Sequence, residues 1–318
     1  KLQQDVSVSD LKHGKVNKLF RFLGPGKIAF ASIVSTGNFN EDFYIAWSPS
    51  HINTSPDGRS RSVKLDQESG SSFVSNNMFL FGEIDMQIKL IPGYSAGTVV
   101  AFYMTSDQPN RDEIDFEFLG NVTGQPYILQ TNVFVDGFGN REERIYLWFD
   151  PTKDFHTYSI LWNLYQIIMY IDLVLRFMVD WVPIRVYRNH GDEGVPFPRW
   201  QPMSVKASIW NGDSWATRGG RDKVDWSKGP FIASFRNYKI DACVWKGNPR
   251  FCMVGNKTNW WNNPSLRSLS WRQRRLFRWA RKYYLVYDYC HDTKRFQEQL
   301  PMECSLPNFH SFLHNLHV

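Results

Sequence analysis

Cysteine is scarce in this chain, and all four cysteines lie in its last quarter. None of the spacings between them is the two to four residues that zinc sites favour, which speaks against a zinc-binding module. An even number of cysteines closing short loops instead predicts two disulfides. Sequential pairing, Cys243 with Cys252 and Cys290 with Cys304, is the simplest of the three possible connectivities.

Long apolar runs, internal repeats and low-complexity tracts are also missing from the 318 residues. No run reaches the length of a membrane-spanning helix, which predicts a protein that does not insert into membranes. With 42% hydrophobic and 21% charged residues, the composition is that of a globular protein.

Acidic residues are outnumbered, since 37 lysines and arginines stand against 31 aspartates and glutamates, a net charge of +6. Most of the excess lies in residues 267–282. A basic balance favours acidic partners such as nucleic acid, but a soluble protein with a solvated basic face is the simpler interpretation. Aromatic residues reach 16%, with 13 tryptophans. Aromatic rings can pack in a core or bind the faces of sugars, so composition leaves the function open.

Three glycosylation sequons begin at Asn53, Asn121 and Asn256. Together with oxidised cysteines they predict passage through the secretory route. The polar start of the chain does not resemble a signal peptide, whereas residues 28–34 have about the length of a signal-peptide core. A degraded signal peptide and a leader without meaning both remain open.

Short apolar or alternating runs, separated by Gly, Pro, Asn and Asp, extend from Gly37 to about Tyr238. This pattern predicts an all-β sandwich or jelly roll. The only good helical pattern spans residues 270–287, and it places on one face Leu276, Trp279, Ala280 and Tyr283. Because this helix lies between the two cysteine pairs, the second part of the chain is predicted to be a small disulfide-stapled extension.

Residues 112–118 read Asp-Glu-Ile-Asp-Phe-Glu-Phe. In a strand, Glu113, Asp115 and Glu117 point to one face, while the intervening apolar residues enter the core. An exposed edge strand with acidic residues is one interpretation. Close-set carboxylates, however, repel one another and raise a pKa, which is unfavourable for stability and useful for acid–base catalysis. Three acids without an intervening lysine favour catalysis.

The spacing along this strand restricts the chemistry. At about 3.3 Å per residue, the Cα atoms of Glu113 and Glu117 are roughly 13 Å apart. Retaining glycosidases place their carboxyl groups about 5–5.5 Å apart and inverting ones about 6.5–9.5 Å apart. Two glutamates leaning together over a concave strand can reach the shorter range, with Asp115 between them to orient the nucleophile. An EF-hand is a poor rival, because its glycine and distal glutamate are missing.

The acidic run, with Gly120 after it, resembles the active-site signature of the plant xyloglucan endotransglucosylase/hydrolases of glycoside hydrolase family 16. Further matching motifs lie at residues 80–90, 95–98, 127–134, 140–151, 155–159, 210–220 and 287–290. The resemblance covers the chain from about Gly37 to Pro307.

The resemblance implies a concave β-jelly roll with an open glucan cleft, lengthened on its acceptor side by the C-terminal extension. It implies that Glu113 is the nucleophile, Asp115 its helper and Glu117 the general acid/base. It further implies substrate-binding roles for Tyr103, Gln130, Asn132, Arg144, Trp210, Trp215 and Gly219. Asn121 matches the glycan site of the family, and no cofactor or metal is implied.

Three features depart from the family pattern. Arg111 stands where most members have histidine, and a cation there can shift carboxylate pKa values. Residues 167–176 look inserted into a core strand, where about ten extra residues break the register unless they loop out. A gene-model artefact is the favoured explanation for this segment. The leader does not match a normal secretion signal.

The predicted organisation is a leader at 1–36, a catalytic β-jelly roll at 37–240, an acceptor-side extension at 241–307 and a tail at 308–318. The predicted protein is a secreted, monomeric enzyme of the plant cell wall and apoplast. Its partners are xyloglucan donor and acceptor chains, with no nucleic acid and no membrane insertion.

Two other functions stay open beside xyloglucan transfer. A predominantly hydrolytic xyloglucanase would carry a loop extension, and the short connection at residues 190–194 speaks mildly against it. A glucan-binding jelly roll without catalytic activity would not need both Glu113 and Glu117. Nucleic-acid binding by the arginine-rich helix is the weakest alternative.

Overall fold

The computed structural model describes residues 33–163, 173–254, 259–266, 268–297 and 299–306. Most of the predicted leader, the predicted tail, Asn256 and residues 167–172 of the apparent insertion lie outside these ranges. No helix in the described part of the chain is long and apolar enough to span a membrane.

Strands make up most of the described chain. They are β1 Phe43–Trp47, β2 Ile52–Thr54, β3 Ser60–Leu65, β4 Ser71–Lys89, β5 Thr98–Thr105, β6 Glu113–Leu119, β7 Ile128–Phe134, β8 Glu143–Tyr146, β9 His156–Trp162, β10 Leu173–Val179, β11 Val182–Asn189, β12 Met203–Asn211, β13 Phe231–Val244 and β14 Leu285–Asp288. The α-helices are α1 Phe39–Asp42, α2 Arg250–Met253 and α3 Trp271–Tyr284. The all-β prediction is confirmed.

Two antiparallel layers share the long strand β4. Its residues 71–79 pair with β1 and β12 in the front sheet, ordered β1-β4-β12-β5-β6-β7-β8-β14. Its residues 82–89 pair with β9 and β13 in the back sheet, ordered β11-β10-β9-β4-β13-β3-β2. Strand β4 passes from the front sheet to the back sheet at Gly82, whose φ is 139°. A Cβ there would lie 2.3 Å from the Ala242 Cα, so only glycine fits the crossing.

The two layers enclose a core to which β6 contributes its aromatic side. Phe116 and Phe118 are fully buried. The Phe116 ring lies 5.2 Å from that of Phe177 and 5.9 Å from that of Tyr158, both on the back sheet. These edge-to-face contacts are the arrangement that aromatic pairs prefer. They hold β6 from the core side, so the opposite side of the strand faces away from the core.

Among the described residues, the strands on either side of the apparent insertion keep a continuous antiparallel register. Strands β9 and β10 are antiparallel neighbours, with Trp162 opposite Leu175 and Tyr158 opposite Val179. Residues 173–176 begin β10, whereas residues 167–172 lie outside the described residues. Extra residues between two antiparallel strands leave their facing side chains unchanged, because the register is set by the pairing on either side.

The C-terminal extension contains the two sequential disulfides, Cys243–Cys252 and Cys290–Cys304, as the spacing predicted. Its helix α3 begins after Ser270, whose hydroxyl accepts the Gln273 amide while the Gln273 side chain accepts the Ser270 amide. This capping box satisfies backbone donors at the helix start. The extension is therefore held by a disulfide at two points.

Helix α3 is shorter than predicted, and of its predicted inner face Leu276, Trp279 and Ala280 pack against the core, whereas Tyr283 does not. It ends at Tyr284, and the next residues form β14, which pairs with β8 and widens the front sheet. Its buried residues are Phe277, Ala280 and Arg281, whereas Tyr283 is 65% exposed. The helix packs against β11, and a helical period of 3.6 carries position 283 away from that contact. Periodicity alone did not reveal that a buried arginine belongs to the inner face.

A buried ion network joins the extension to both sheets. The Arg281 guanidinium donates to Glu143 on β8 and, at 2.7 Å, to Asp288 on β14. Arg185 on β11 lies 3.6 Å from the other Glu143 oxygen. Buried charges of this kind must be paired, since each has lost its hydration. The network therefore fixes α3, β8, β11 and β14 relative to one another.

Replacing Arg281 by methionine leaves Glu143 and Asp288 buried without their shared cation. We expect Arg281→Met to lower the free energy of unfolding by about 3–5 kcal/mol, the usual cost of removing one partner of a buried ion pair. Denaturant unfolding with intact disulfides measures this. The control Arg278→Met, at an exposed position of the same helix, should change it by less than about 0.5 kcal/mol. Equal effects of the two substitutions would argue against the network.

Candidate active site

Strand β6 places its three acidic side chains on the outer face of the front sheet. Asp115 is 5% exposed, and Glu113 and Glu117 are partly exposed. Directly opposite Asp115 lie Tyr103 on β5 and Asn132 on β7. Cross-strand partners point to the same face of a sheet, so these side chains flank the carboxylates.

Glu117 lies at one end of a chain of contacts, two hydrogen bonds and one cation–ring contact, that reaches the C-terminal extension. Gln130 Nε2 donates to Glu117 Oε2 at 2.6 Å, and Arg144 Nε donates to Gln130 Oε1 at 2.8 Å. The Arg144 guanidinium in turn lies 5.3 Å from the centre of the Tyr287 ring on β14. Burial raises the pKa of Glu117 to about 7, although the Gln130 hydrogen bond acts in the opposite direction. Glu117 therefore stays protonated at pH values well above those at which a glutamic acid normally ionises.

Asp115 lies between the two glutamates and is the most deeply buried of the three acids. Burial raises its pKa well above the ordinary value, and the charges of Glu113 and Glu117 raise it further. Its Oδ1 has no hydrogen-bond partner among the described residues. A carboxyl group in this position favours its neutral form, which can donate a hydrogen bond to a neighbouring carboxylate.

Glu113 is held by a cation. Arg111 Nε donates to Glu113 Oε2 at 3.0 Å, and the arginine is half exposed at the rim of the sheet. Its guanidinium lies 5.8 Å from the centre of the Phe134 ring. The sequence left the orientation of Arg111 open, and the structure directs it toward Glu113. The preceding acid, Asp112, turns away, and its Oδ1 accepts the Asp136 amide at 2.9 Å.

Comparison with known proteins identifies the family of the chain. Residues 39–228 match the glycosyl hydrolases family 16, and residues 255–304 match the xyloglucan endo-transglycosylase C-terminus. Probable xyloglucan endotransglucosylase/hydrolase protein 10 of Arabidopsis thaliana is 66% identical over 89% of this chain and 92% of its own length. Xyloglucan endotransglucosylase/hydrolase 1 of Glycine max is 52% identical over 84% of this chain and 87% of its own.

The chain belongs to the xyloglucan endotransglucosylase/hydrolases of glycosyl hydrolase family 16. Solved structures show the same fold at low sequence identity. The catalytic domain of a laminarinase from Thermotoga petrophila has a TM-score of 0.51 at 13% identity, over 69% of this chain and 96% of its own. Crh5 transglycosylase has a TM-score of 0.51 at 23% identity, over 69% of this chain and 83% of its own.

The two tryptophans proposed for this endotransglucosylase/hydrolase lie on the carboxylate face, beyond Glu117. Trp210 is opposite Val99, which is opposite Leu119 at the end of β6. Trp210 and Trp215 both pack against a small apolar cluster that includes Val99 and Leu119, separate from the main core. Each stays partly exposed.

Gly219 is placed differently from the other predicted site residues. It lies in an exposed turn after β12 with a φ of 69°, a conformation that favours glycine. Nothing lies within 4 Å of the position that its Cβ would take. Its identity is therefore accounted for by the backbone conformation, and a contact with substrate stays a prediction.

Sequence reasoning missed Lys206, which lies opposite Tyr103 on β12 and so shares the face of Asp115. Its Nζ is 3.8 Å from an oxygen of Asp107. No local pattern marks this lysine, because its place near the carboxylates depends on the pairing of β12 with β5. A knowledge of the strand order is the signal that would have found it.

His51, Asp66 and Glu68 are the one group in the described residues with the composition and proximity of metal ligands. His51 Nε2 lies 2.8 Å from Asp66 Oδ1, and Lys64 Nζ lies 2.9 Å from Asp66 Oδ2. Both oxygens of Asp66 are thus engaged by protein groups. The cluster belongs to β3 and its neighbouring turns, and β6 has no part in it.

Gln130 provides a test of how Glu117 is tuned. Its amide favours the ionised carboxylate, so Gln130→Leu should raise the pKa of Glu117 further above 7. A general acid must be protonated, and activity falls as the pH rises through its pKa. We therefore expect the alkaline limb of the kcat/KM profile to move to higher pH, together with a lower kcat because Glu117 is no longer held. The pH dependence of transfer measures both.

Gln87→Leu on the back sheet is the matched control and should keep the wild-type profile, since Gln87 contacts Arg236 and Asn237 instead of the carboxylates. An alkaline limb that stays in place in Gln130→Leu, or moves to lower pH, would contradict the assignment.

Proposed function

We propose that the enzyme is a retaining, endo-acting transglucosylase that cleaves the β-1,4-glucan backbone of xyloglucan and rejoins it to another xyloglucan chain. The observation that carries this proposal is the unequal environment of two carboxyl groups on one strand face. Glu113 is paired with Arg111, whereas Glu117 is hydrogen-bonded to Gln130 with its pKa raised to about 7. Two titratable groups with different environments are how enzymes divide nucleophilic and acid–base roles. The names of the relatives support the substrate.

In the first step Glu113 attacks the anomeric carbon, and the bond from that carbon to the leaving glucosyl oxygen breaks. Glu117 gives its proton to this oxygen, and a covalent glycosyl-enzyme remains on Glu113. The hydrogen bond from Arg111 Nε to Glu113 Oε2 holds the attacking carboxylate in place. Asp115, neutral and adjacent, supplies a hydrogen-bond donor that orients the Glu113 carboxylate.

In the second step Glu117, now ionised, removes a proton from the hydroxyl of an acceptor chain, and that oxygen attacks the anomeric carbon. The bond to Glu113 breaks and the polymer is rejoined. Attack by water instead gives hydrolysis. Because water is abundant, transfer requires that binding of the acceptor place its hydroxyl in reach of the glycosyl-enzyme.

Residues around the carboxylates support a binding cleft across the front sheet. Tyr103, Gln130, Asn132 and Arg144 share the catalytic face, and Trp210 and Trp215 provide ring surfaces for sugar faces. We place the acceptor side at β8 and β14, where the extension widens the sheet. The catalytic jelly roll then spans 37–240 and the extension 241–307.

Secretion to the cell wall is part of the proposal. Two disulfides favour an oxidising compartment. Asn53 is exposed and accessible to a glycan. Asn121 is half-buried, and its Nδ2 donates to the Pro126 carbonyl at 2.9 Å, a bond that glycosylation would have to replace. We propose a monomer, since each residue of the proposed site comes from the same chain.

Transfer from unlabelled xyloglucan to a labelled xyloglucan oligosaccharide tests the proposed reaction. Label that enters the polymer identifies a transferase. A falling chain length without incorporation identifies a hydrolase instead, and neither change identifies a silent glucan-binding protein.

Glu113→Ala tests the proposed nucleophile. We expect it to abolish transfer and hydrolysis together, while oligosaccharide binding stays measurable by calorimetry. Asp115→Asn should reduce the rate less, since it removes an orienting group. As a control, Glu68→Ala replaces an exposed acid outside β6 and should leave turnover intact. Retained turnover in Glu113→Ala would contradict the assignment of Glu113 as the nucleophile.

A further inference from the structure

The edge of the front sheet opposite the C-terminal extension carries two exposed aromatic side chains. Tyr44 and Trp47 lie on β1, and they are 52% and 41% exposed. Their neighbour Phe43 is buried, with its ring 5.4 Å from that of Phe73 in the core. Strand β1 is thus anchored through Phe43 while the two other rings face solvent.

The strand register places both rings on the face of the catalytic carboxylates. One row of directly paired residues runs Trp47, Ser72, Ser208, Ala101 and Glu117. A second row runs Tyr44, Val74, Lys206, Tyr103 and Asp115. Because paired residues on neighbouring strands point to the same face, Trp47 shares a row with the proposed acid/base and Tyr44 shares one with Asp115.

The path from Trp47 to Glu117 is free of bulky side chains along its own row. Only two serines and one alanine lie between them. The path crosses four strand spacings of about 4.8 Å, roughly 19 Å in all. An extended glucan that lies across the strands, with its scissile bond at Glu117, covers this distance with several sugar residues.

We propose that Tyr44 and Trp47 form a distal subsite that binds the backbone of the donor glucan by stacking against the flat C–H faces of its sugars. The inference rests on the proposed function, which places the acceptor at the β14 edge and therefore the donor toward β1. Aromatic rings with one face exposed suit such a ligand, since they remove an apolar sugar face from water.

The exposure of these rings supports a bound partner. Apolar side chains on an edge strand invite pairing with other chains and aggregation, and exposed apolar groups in line with a cleft are typical of ligand-binding grooves. A glucan chain lying across β1 covers both rings. The subsite would favour long donors over short ones, because only a long donor reaches from Glu117 to β1.

The test compares kcat/KM for xyloglucan donors of increasing length, with one labelled acceptor. We expect the wild-type enzyme to prefer long donors and the double variant Tyr44→Ala, Trp47→Ala to lose that preference. On the polymer the loss should be on the order of tenfold in kcat/KM and should arise through KM, because binding shared by ground and transition states is what is removed. The KM of the acceptor should not change.

Two controls accompany the double variant. Trp181→Ala removes an equally exposed tryptophan, 48% exposed at the turn between β10 and β11, and should retain the preference for long donors. Trp47→Phe keeps an aromatic ring and should retain most of it.

An unchanged length dependence in the double variant, or a change only in the acceptor KM, would overturn the subsite. A wild-type enzyme that transfers no label refutes the proposed function separately. Retardation in a xyloglucan-containing native gel then tests whether the subsite binds glucan. Reduced retardation of the double variant supports the subsite, and equal retardation of the wild type and the double variant refutes it.

Discussion

The alternation of acids and aromatic residues along β6 is the constraint on which the site depends. Phe116 and Phe118 are locked between the sheets by Tyr158 and Phe177, so the strand cannot slip by one residue without burying three carboxylates. The packing that stabilises the core therefore also holds Glu113, Asp115 and Glu117 on the outer face. Burial of Asp115 and Glu117, unfavourable in itself, is offset by this core and raises the pKa of both acids, as the proposed chemistry requires.

The extension acts on the site through the edge of the same sheet. Strand β14 continues the front sheet beyond β8, and Arg281 fixes it through Glu143 and Asp288. From β14 the contacts pass through Arg144 and Gln130 to Glu117. The segment proposed to bind the acceptor is thus joined by a chain of contacts to Glu117, the residue proposed to remove the acceptor's proton. At the opposite edge, β1 offers the aromatic surface proposed for the donor.

The features that were predicted correctly from the sequence are those that depend on residues close together in it. Alternation identified the face of Glu113 and Glu117, and cysteine spacing gave the disulfides, because each depends on neighbours in sequence. Long-range pairing decides the rest. The partnership of Arg281 with Glu143, the row that joins Trp47 to Glu117 and the pairing of β10 with β9 all depend on strand order. The direction of Arg111 depends on a side-chain contact that no spacing encodes.

The central claim is that Glu113 is the nucleophile of a covalent, retaining reaction. Mass spectrometry of peptides from enzyme quenched during turnover, with Glu117→Gln to slow breakdown of the intermediate, tests it most directly. A xyloglucan donor with a good leaving group bypasses the missing acid in the first step. The account predicts a glycosyl mass added to the peptide that contains residues 112–118, located at Glu113. A modification at another residue, or an inverted product with no modified peptide, would contradict it.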